Sequence, residues 1–355
     1  MSTSTREPMR TVRISWAGAA QGADTYSRGR QTLRSPRLRR TQACEAFPNG
    51  SSGKDCTLGP PFRRVVEIGM QAQDVKRVGV VGSGLMGSGI VEVCARAGAL
   101  VTFAESTQEL VEAGRARIEG SIRTGVERGK LDSADADAAL QRVKGVADLT
   151  LLAGSDLVIE AATENLREKR AVFGALGEIT RADVVLASNT SSIPIVDLAI
   201  ASGRPDRVVG MHFFNPPPVM KLLELTPALT TSGETVAFAK AYAERLGKTV
   251  VVAKDRAGFI VNRLLMPYLN DAARMYDEGF ATRDDIDAAI KLGLAHPIGP
   301  LALMDLIGID TCVSIDDVMV REFADPRYAA PPILKRMVAA GRLGRKSGEG
   351  FYEYG

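Results

Sequence analysis

Between residues 76 and 255 short runs of β-branched and aliphatic residues alternate with longer amphipathic stretches. "KRVGVV", "LVTFAE", "SDLVIEAA", "DVVLASN", "RVVGMHFFN" and "KTVVVAKD" have the length and residue types of buried strands. Between the first two, "SGIVEVCARAG" carries apolar residues at helical spacing until Gly98 offers a C-cap. Ser106 with Glu109 has the spacing of a capping box and opens a helix reaching to about Gly129. Further helices are expected over Glu168 to Glu178 and Ile195 to Ala201. Strands alternating with helices predict an α/β fold with a doubly wound, mostly parallel sheet. After Asp255 the strand signals stop, and "GFIVNRLLMPYLNDAARMYDEG" and its successors read as helices. The pattern therefore divides the chain into residues 75–256, the sheet domain, and residues 257–355, an all-helical C-terminal domain, with no internal repeat.

Residues 1–74 lack apolar periodicity and stand apart in charge. The 355-residue sequence is 45% hydrophobic and 25% charged with a net charge of +3. Residues 1–70 contain 12 Lys and Arg against 5 Asp and Glu, which leaves 33 against 37, a balance of −4, for the rest. The body therefore has no nucleic-acid character. An Arg- and Ser-rich leader is open to three readings: an organelle transit peptide, a nucleic-acid-binding arm, or sequence upstream of a misassigned start. Met70 opens "MQAQDVKRVGVVG", where a compact domain would begin, and a misassigned start or a disordered tail is the favoured reading. The longest apolar runs fall well short of the roughly 20 residues a membrane helix needs. Cys44, Cys56, Cys94 and Cys312 are scattered without metal-ligand spacing, as expected for reduced thiols in a cytoplasmic protein that binds no metal.

The first chemical signal is the turn Gly82-Ser83-Gly84-Leu85-Met86-Gly87, placed between a strand and a helix. Gly82 permits the tight turn, Gly84 lets a pyrophosphate approach the backbone, and Gly87 allows the helix to pack closely, with N–H donors at the helix start. Glu105 ends the next strand at the distance needed to accept from adenosine ribose hydroxyls, and no Arg follows it to hold a 2′-phosphate. The motif thus predicts a Rossmann-type domain for NAD, with NADP disfavoured.

The second signal is "GMHFFNPPPVMKLLEL", which holds His212, one of two histidines in the chain. A dehydrogenase needs a group to remove the hydroxyl proton, and Glu224, past the proline turn, is spaced to return beside the imidazole and fix its tautomer. The residues alone leave this open, because an isolated histidine is more often structural and Glu224 could equally be a solvated strand residue. His296, before Pro297, is read as structural.

From Lys76 to Gly355 the sequence resembles the short-chain L-3-hydroxyacyl-CoA dehydrogenase family, in particular its bacterial 3-hydroxybutyryl-CoA dehydrogenases. The blocks "VGVVGSGLMGSGI", "DLVIEAATENLREKRAVF", "ASNTSS", "GMHFFNPPPVMKLLEL", "DRAGFIVNRLLMPYLN" and "GRLGRKSGEGFYEY" occur in the family's order and spacing. The resemblance implies that His212 is the catalytic base and Glu224 its partner, with Ser191 and Asn262 contacting the substrate near the reacting carbon. It implies cofactor contacts from Gly82 through Gly87, Glu105, Glu164, Lys169, Ser191, Asn215 and Lys346, and contacts to CoA from Ser121 and Arg128. Three departures are visible: Glu105 where the family has Asp, Ala257 where it has Pro, and Arg128 where it has Lys.

The implied reaction is NAD-dependent oxidation of an L-3-hydroxyacyl-CoA to the 3-oxoacyl-CoA and its reverse, as in fatty-acid β-oxidation or butyrate metabolism, by a homodimer. Each residue has a plainer alternative: Ser191 and Asn189 as caps of the next helix, Asn262 as a surface amide. Two rival functions are a dehydrogenase of free 3-hydroxy or sugar acids, and a catalytically retired NAD-binding protein. The presence of both His212 and Glu224 argues against the second.

Overall fold

The computed structural model describes residues 70–355, all of which belong to one compact unit. Eight strands form one sheet: β1 (Arg77–Val81), β2 (Leu100–Ala104), β3 (Val143–Val146), β4 (Leu157–Glu160), β5 (Val185–Ser188), β6 (Val208–Phe213), β7 (Leu222–Pro227) and β8 (Thr249–Val252). Their order is β3-β2-β1-β4-β5-β6-β7-β8, and every pair is parallel except β6 with β7. The helices crossing over this sheet are α1 (Leu85–Arg96), α2 (Gln108–Glu127), α3 (Ser133–Gln141), α4 (Leu166–Ile179), α5 (Ile195–Ala201) and α6 (Gly233–Arg245). Chain order reverses at β1, whose neighbours are β2 and β4, so a crevice opens beyond the carboxyl ends of these strands.

The strands form where they do because both faces are covered: Val78, Val80, Phe103, Leu157 and Ile159 are each at most 1% exposed. Ile90, Val91 and Cys94 of α1 and Ile118 and Ile122 of α2 pack in the same core. Gly79 in β1 is required by this closeness, since a Cβ there would lie 2.9 Å from the Ser155 hydroxyl.

Beyond the sheet come α7 (Val261–Asp277), α8 (Arg283–Gly293), α9 (Pro300–Ile307), α10 (Ile309–Phe323) and α11 (Pro332–Ala339). They enclose a separate core that includes Met266, Leu269, Leu301, Met304, Cys312, Met319 and Leu334.

Several local expectations change. The cap of α2 is Thr107, whose hydroxyl accepts from the Leu110 N–H, rather than Ser106. Strand β3 and helices α3 and α6, absent from the sequence reading, complete the architecture together with β7, where only Glu224 had been weighed as a strand residue. β3 is an edge strand of sequence "VKGV", too short and mixed to stand out, and β7 follows directly on the proline turn. Of the expected leader, residues 70–74 belong to the fold: Ala72 is buried and Arg245 donates to the Ala72 and Val75 carbonyls. Residues 1–69, with Cys44 and Cys56, lie outside the described residues.

Candidate active site

At the crevice, Gly82 has φ +89°, and a Cβ there would sit 2.8 Å from the Ala161 carbonyl oxygen. A Cβ on Gly87 would come within 2.1 Å of the Gly82 carbonyl, so only glycine lets α1 start this close to the turn. Gly84, by contrast, faces open space, and Leu85 beside it is 65% exposed. The tip of the turn is thus free to receive a phosphate at the N-terminus of α1. Met86 is half-buried behind it. Glu105, just past the end of β2, accepts from the Ser83 hydroxyl at 2.8 Å and from the Ser83 N–H. Its longer side chain is accommodated by this pairing. Arg117 of α2, which sequence reading passed over, donates to the Ser83 carbonyl at 2.6 Å and braces the turn from the other side. Nothing in its surroundings on the chain marked it.

Along the next strand end lies a carboxylate network. Glu164 accepts from the Ser191 N–H at 3.0 Å, the Ser192 N–H at 3.2 Å and the Ser192 hydroxyl at 3.0 Å, and also from the Thr190 hydroxyl. Burial alone would raise the Glu164 carboxyl, but Lys169 at 3.5 Å and these donors hold it below its usual range. Lys169 itself is 1% exposed, with its ammonium 2.6 Å from Glu160, which is fully buried and also accepts from the Ser188 hydroxyl. The lysine therefore spends its charge on Glu160 and Glu164 and holds the loop, rather than presenting that charge to the open crevice. Asn189 does not cap a helix: its side-chain oxygen accepts from the Phe213 N–H at 2.8 Å.

His212 and Glu224 are direct partners across the antiparallel β6–β7 ladder. The His212 Nδ1 lies 2.8 Å from Glu224 Oε2, and the two residues are 8% and 1% exposed. The other carboxylate oxygen accepts from the N–H groups of Ile260 at 3.1 Å and Val261 at 2.9 Å, the start of α7. One carboxylate thus orients the imidazole and caps the helix whose second residue is Asn262. The imidazole ring has Phe214 and Phe259 as tilted neighbours, at centroid distances of 4.6 and 5.6 Å. Phe259 holds a left-handed φ of +44°, a conformation costing a non-glycine residue on the order of 1–3 kcal/mol. With Nδ1 committed to Glu224, Nε2 is the nitrogen left for a reacting proton.

The proline turn that carries Asn215 is held from below by Lys248, a residue the sequence reading did not single out, whose ammonium donates to the Met220 carbonyl at 2.8 Å and to that of Pro217. Asn215 is exposed at the tip of that turn. Ser121 is exposed on α2 and donates its hydroxyl to Glu92, a buried carboxylate, while Arg128 is exposed at the end of the same helix. Lys346 has other partners: its ammonium pairs with Asp310 of α10. His296 is exposed and stacks edge-on against Tyr268, away from any carboxylate partner of its own in the described residues.

A glycine turn on the first strand, an acceptor at the end of the second and an oriented imidazole define a pyridine-nucleotide-dependent oxidoreductase. The residues present fit NAD, because Gly84 leaves a cradle at the head of α1 and Glu105 puts a negative charge where a 2′-phosphate would have to lie. The family model "3-hydroxyacyl-CoA dehydrogenase, NAD binding domain" matches residues 77–256, and "3-hydroxyacyl-CoA dehydrogenase, C-terminal domain" matches residues 258–354. The chain belongs to the 3-hydroxyacyl-CoA dehydrogenase family. It is 50% identical over 282 residues to the 3-hydroxybutyryl-CoA dehydrogenase of Mycobacterium tuberculosis, covering 79% of this chain and 99% of that protein. Among solved structures, FadB2 of M. tuberculosis superposes with a TM-score of 0.78 at 50% identity, over 79% of this chain and 99% of that one. The (S)-3-hydroxybutyryl-CoA dehydrogenase PaaH1 of Ralstonia eutropha does so at 0.75 and 44%, with the same coverage.

Proposed function

We propose that His212 and Glu224 are the acid–base pair with which this NAD-dependent 3-hydroxyacyl-CoA dehydrogenase interconverts L-3-hydroxyacyl-CoA and 3-oxoacyl-CoA, with 3-hydroxybutyryl-CoA as substrate. The observation that carries the assignment is the 2.8 Å contact between His212 Nδ1 and Glu224 Oε2 at two buried residues. In the oxidation, Nε2 of His212 takes the proton from the 3-hydroxyl, and Glu224 stabilises the imidazolium that results. NAD, when bound, accepts the hydride from carbon 3. Ser191, held by Glu164, and Asn262, at the head of α7, position the substrate oxygens. In the reverse direction protonated His212 returns the proton to the 3-oxo group.

Gly82–Gly87 would hold the cofactor's pyrophosphate and Glu105 its ribose, and Glu164, Asn215 and Lys346 would complete its surroundings, Lys169 acting through Glu164. Ser121 and Arg128 meet the CoA portion. Two separate cores support a division into an NAD-binding domain over 75–256 and a substrate and dimerisation domain over 257–355. Exposed Leu264, Phe280 and Leu292, at 72%, 77% and 85%, support a homodimer through the helical part. Free, buried Cys94 and Cys312 are compatible with a cytoplasmic location, and no helix among the described residues is long and apolar enough to cross a membrane.

The test is the absorbance of NADH, and separately NADPH, with acetoacetyl-CoA for the wild type, His212→Ala and His296→Ala. Turnover with NADH should collapse by about 100-fold or more in His212→Ala alone. Acetoacetyl-CoA inert in the presence of bound NAD would defeat the substrate assignment and bring free 3-hydroxy acids forward.

A further inference from the structure

The segment joining the sheet to α7 runs from Asp255 to Ile260, and it is fastened at both ends by carboxylates. At its far end Glu224 accepts from Ile260 and Val261, as above. At its near end Asp255 Oδ1 accepts from the Ile195 N–H at 2.8 Å and Oδ2 from the Val196 N–H at 2.9 Å. Those two N–H groups lie four and five residues beyond Ser191, whose loop is pinned on its other side by Glu164. Ile195 is fully buried and Ile193 nearly so, so a shift at Asp255 cannot be absorbed by side chains free to move. The segment itself is a tight turn: the Phe259 N–H donates to the Arg256 carbonyl at 3.0 Å and the Arg263 N–H to the Gly258 carbonyl at 3.0 Å. Its geometry is unforgiving, since Gly258 has φ +75° and a Cβ there would lie 2.9 Å from Met319, while Phe259 rests on the His212 ring.

We propose that Asp255 is a positioning residue for the reaction: its two hydrogen bonds fix the Ser191 loop relative to Phe259 and the head of α7, so that Ser191, His212 and Asn262 address one substrate. The proposal rests on the roles assigned above to those three residues. Asp255 touches neither the substrate site nor the glycine turn through any contact described, and acts only through the backbone it holds. It is a half-buried carboxyl raised by burial and by Asp197 and Glu322, which its two N–H donors counteract.

Asp255→Asn keeps one acceptor and sets an amide donor against one of the two N–H groups. A matched control exists elsewhere in the fold. Asp287 accepts from the N–H groups of Leu301 at 2.8 Å and Ala302 at 2.9 Å at the head of α9, and in addition from the Tyr352 hydroxyl at 3.1 Å, so its loss should cost at least as much stability. Steady-state kinetics with NADH and acetoacetyl-CoA, together with thermal unfolding, should be run on wild type, Asp255→Asn and Asp287→Asn. Asp255→Asn should lose about ten-fold or more in kcat, the scale of a reactant misplaced by a fraction of an ångström, with a smaller change in KM for NADH. Asp287→Asn should lower the unfolding temperature and leave kcat in place. A wild-type kcat in Asp255→Asn, or an equal kcat loss in both variants at equal loss of unfolding temperature, would overturn the positioning role while leaving the His212 assignment standing. A wild type inert towards acetoacetyl-CoA would instead defeat the functional reading, and the positioning role with it.

Discussion

Replacing Glu224 by glutamine tests whether the carboxylate acts on the imidazole proton or merely fills space. Glu224 accepts at three points, from His212 Nδ1, Ile260 and Val261. A glutamine has one oxygen for them. If that oxygen keeps the two backbone donors, the amide NH2 faces His212 and donates to Nδ1, so the imidazole proton moves to Nε2. If it turns to His212, the NH2 opposes two N–H groups, each left unsatisfied at about 1–3 kcal/mol. The first arrangement wins, and it leaves Nε2 protonated and unable to take the substrate's proton. Restoring the productive tautomer against this preference costs about 3–4 kcal/mol, near the middle of the range for two unsatisfied N–H groups at about 1–3 kcal/mol each. At about 1.36 kcal/mol per factor of ten this predicts a fall in kcat of about 10²–10³. KM for NAD should stay put, because Glu224 has no contact with the glycine turn. The assay is NADH formation from L-3-hydroxybutyryl-CoA and NAD, the direction in which His212 must take a proton, with thermal unfolding as a check that α7 stays docked. A kcat within about three-fold of wild type in a folded variant would refute the tautomer argument.

Two further outcomes are expected. Glu105→Ser removes the acceptor and negative charge beside Ser83 while leaving Arg117 at the turn. The preference for NADH over NADPH in kcat/KM should fall by about ten- to a hundred-fold, the worth of one or two charge-assisted hydrogen bonds, and an unchanged ratio would refute the role of Glu105. In the helical core, burial raises the Asp316 carboxyl to about 7, against a hydrogen bond from Asn270 that lowers it, with Asp317 adding to the rise. A raised folded-state value means the folded chain holds a proton the unfolded chain has released, so stability is full below the ordinary carboxylate range and declines as pH rises towards 7. Asp316→Asn should therefore flatten the dependence of unfolding temperature on pH across that window. A variant with the wild-type slope would show that Asp316 does not titrate there.

Much of the nucleotide half was legible because its signals are local. The turn from Gly82 to Gly87 is a contiguous run between a strand and a helix, and glycine's freedom at φ +89° is a property of single residues. The alternation of apolar runs likewise sets the mostly parallel sheet, and the family resemblance located His212, Glu224, Ser191 and Asn262 by motif. Of the connections between those residues only that of His212 with Glu224 was anticipated, and the residues alone left it open. His212 meets Glu224 only because β7, hidden behind three prolines, pairs with β6 in one register; a slip of one residue would turn the carboxylate to the opposite face. The same holds for Asp255 on Ile195 and Val196, 60 and 59 residues apart in sequence, and for Lys169, which buries its charge on Glu160 beneath the loop it holds. Periodicity and spacing report what each segment is, since they follow from neighbours along the chain. Which carboxylate reaches which N–H or imidazole is set by strand register and helix docking, and those are decided only when the whole core closes.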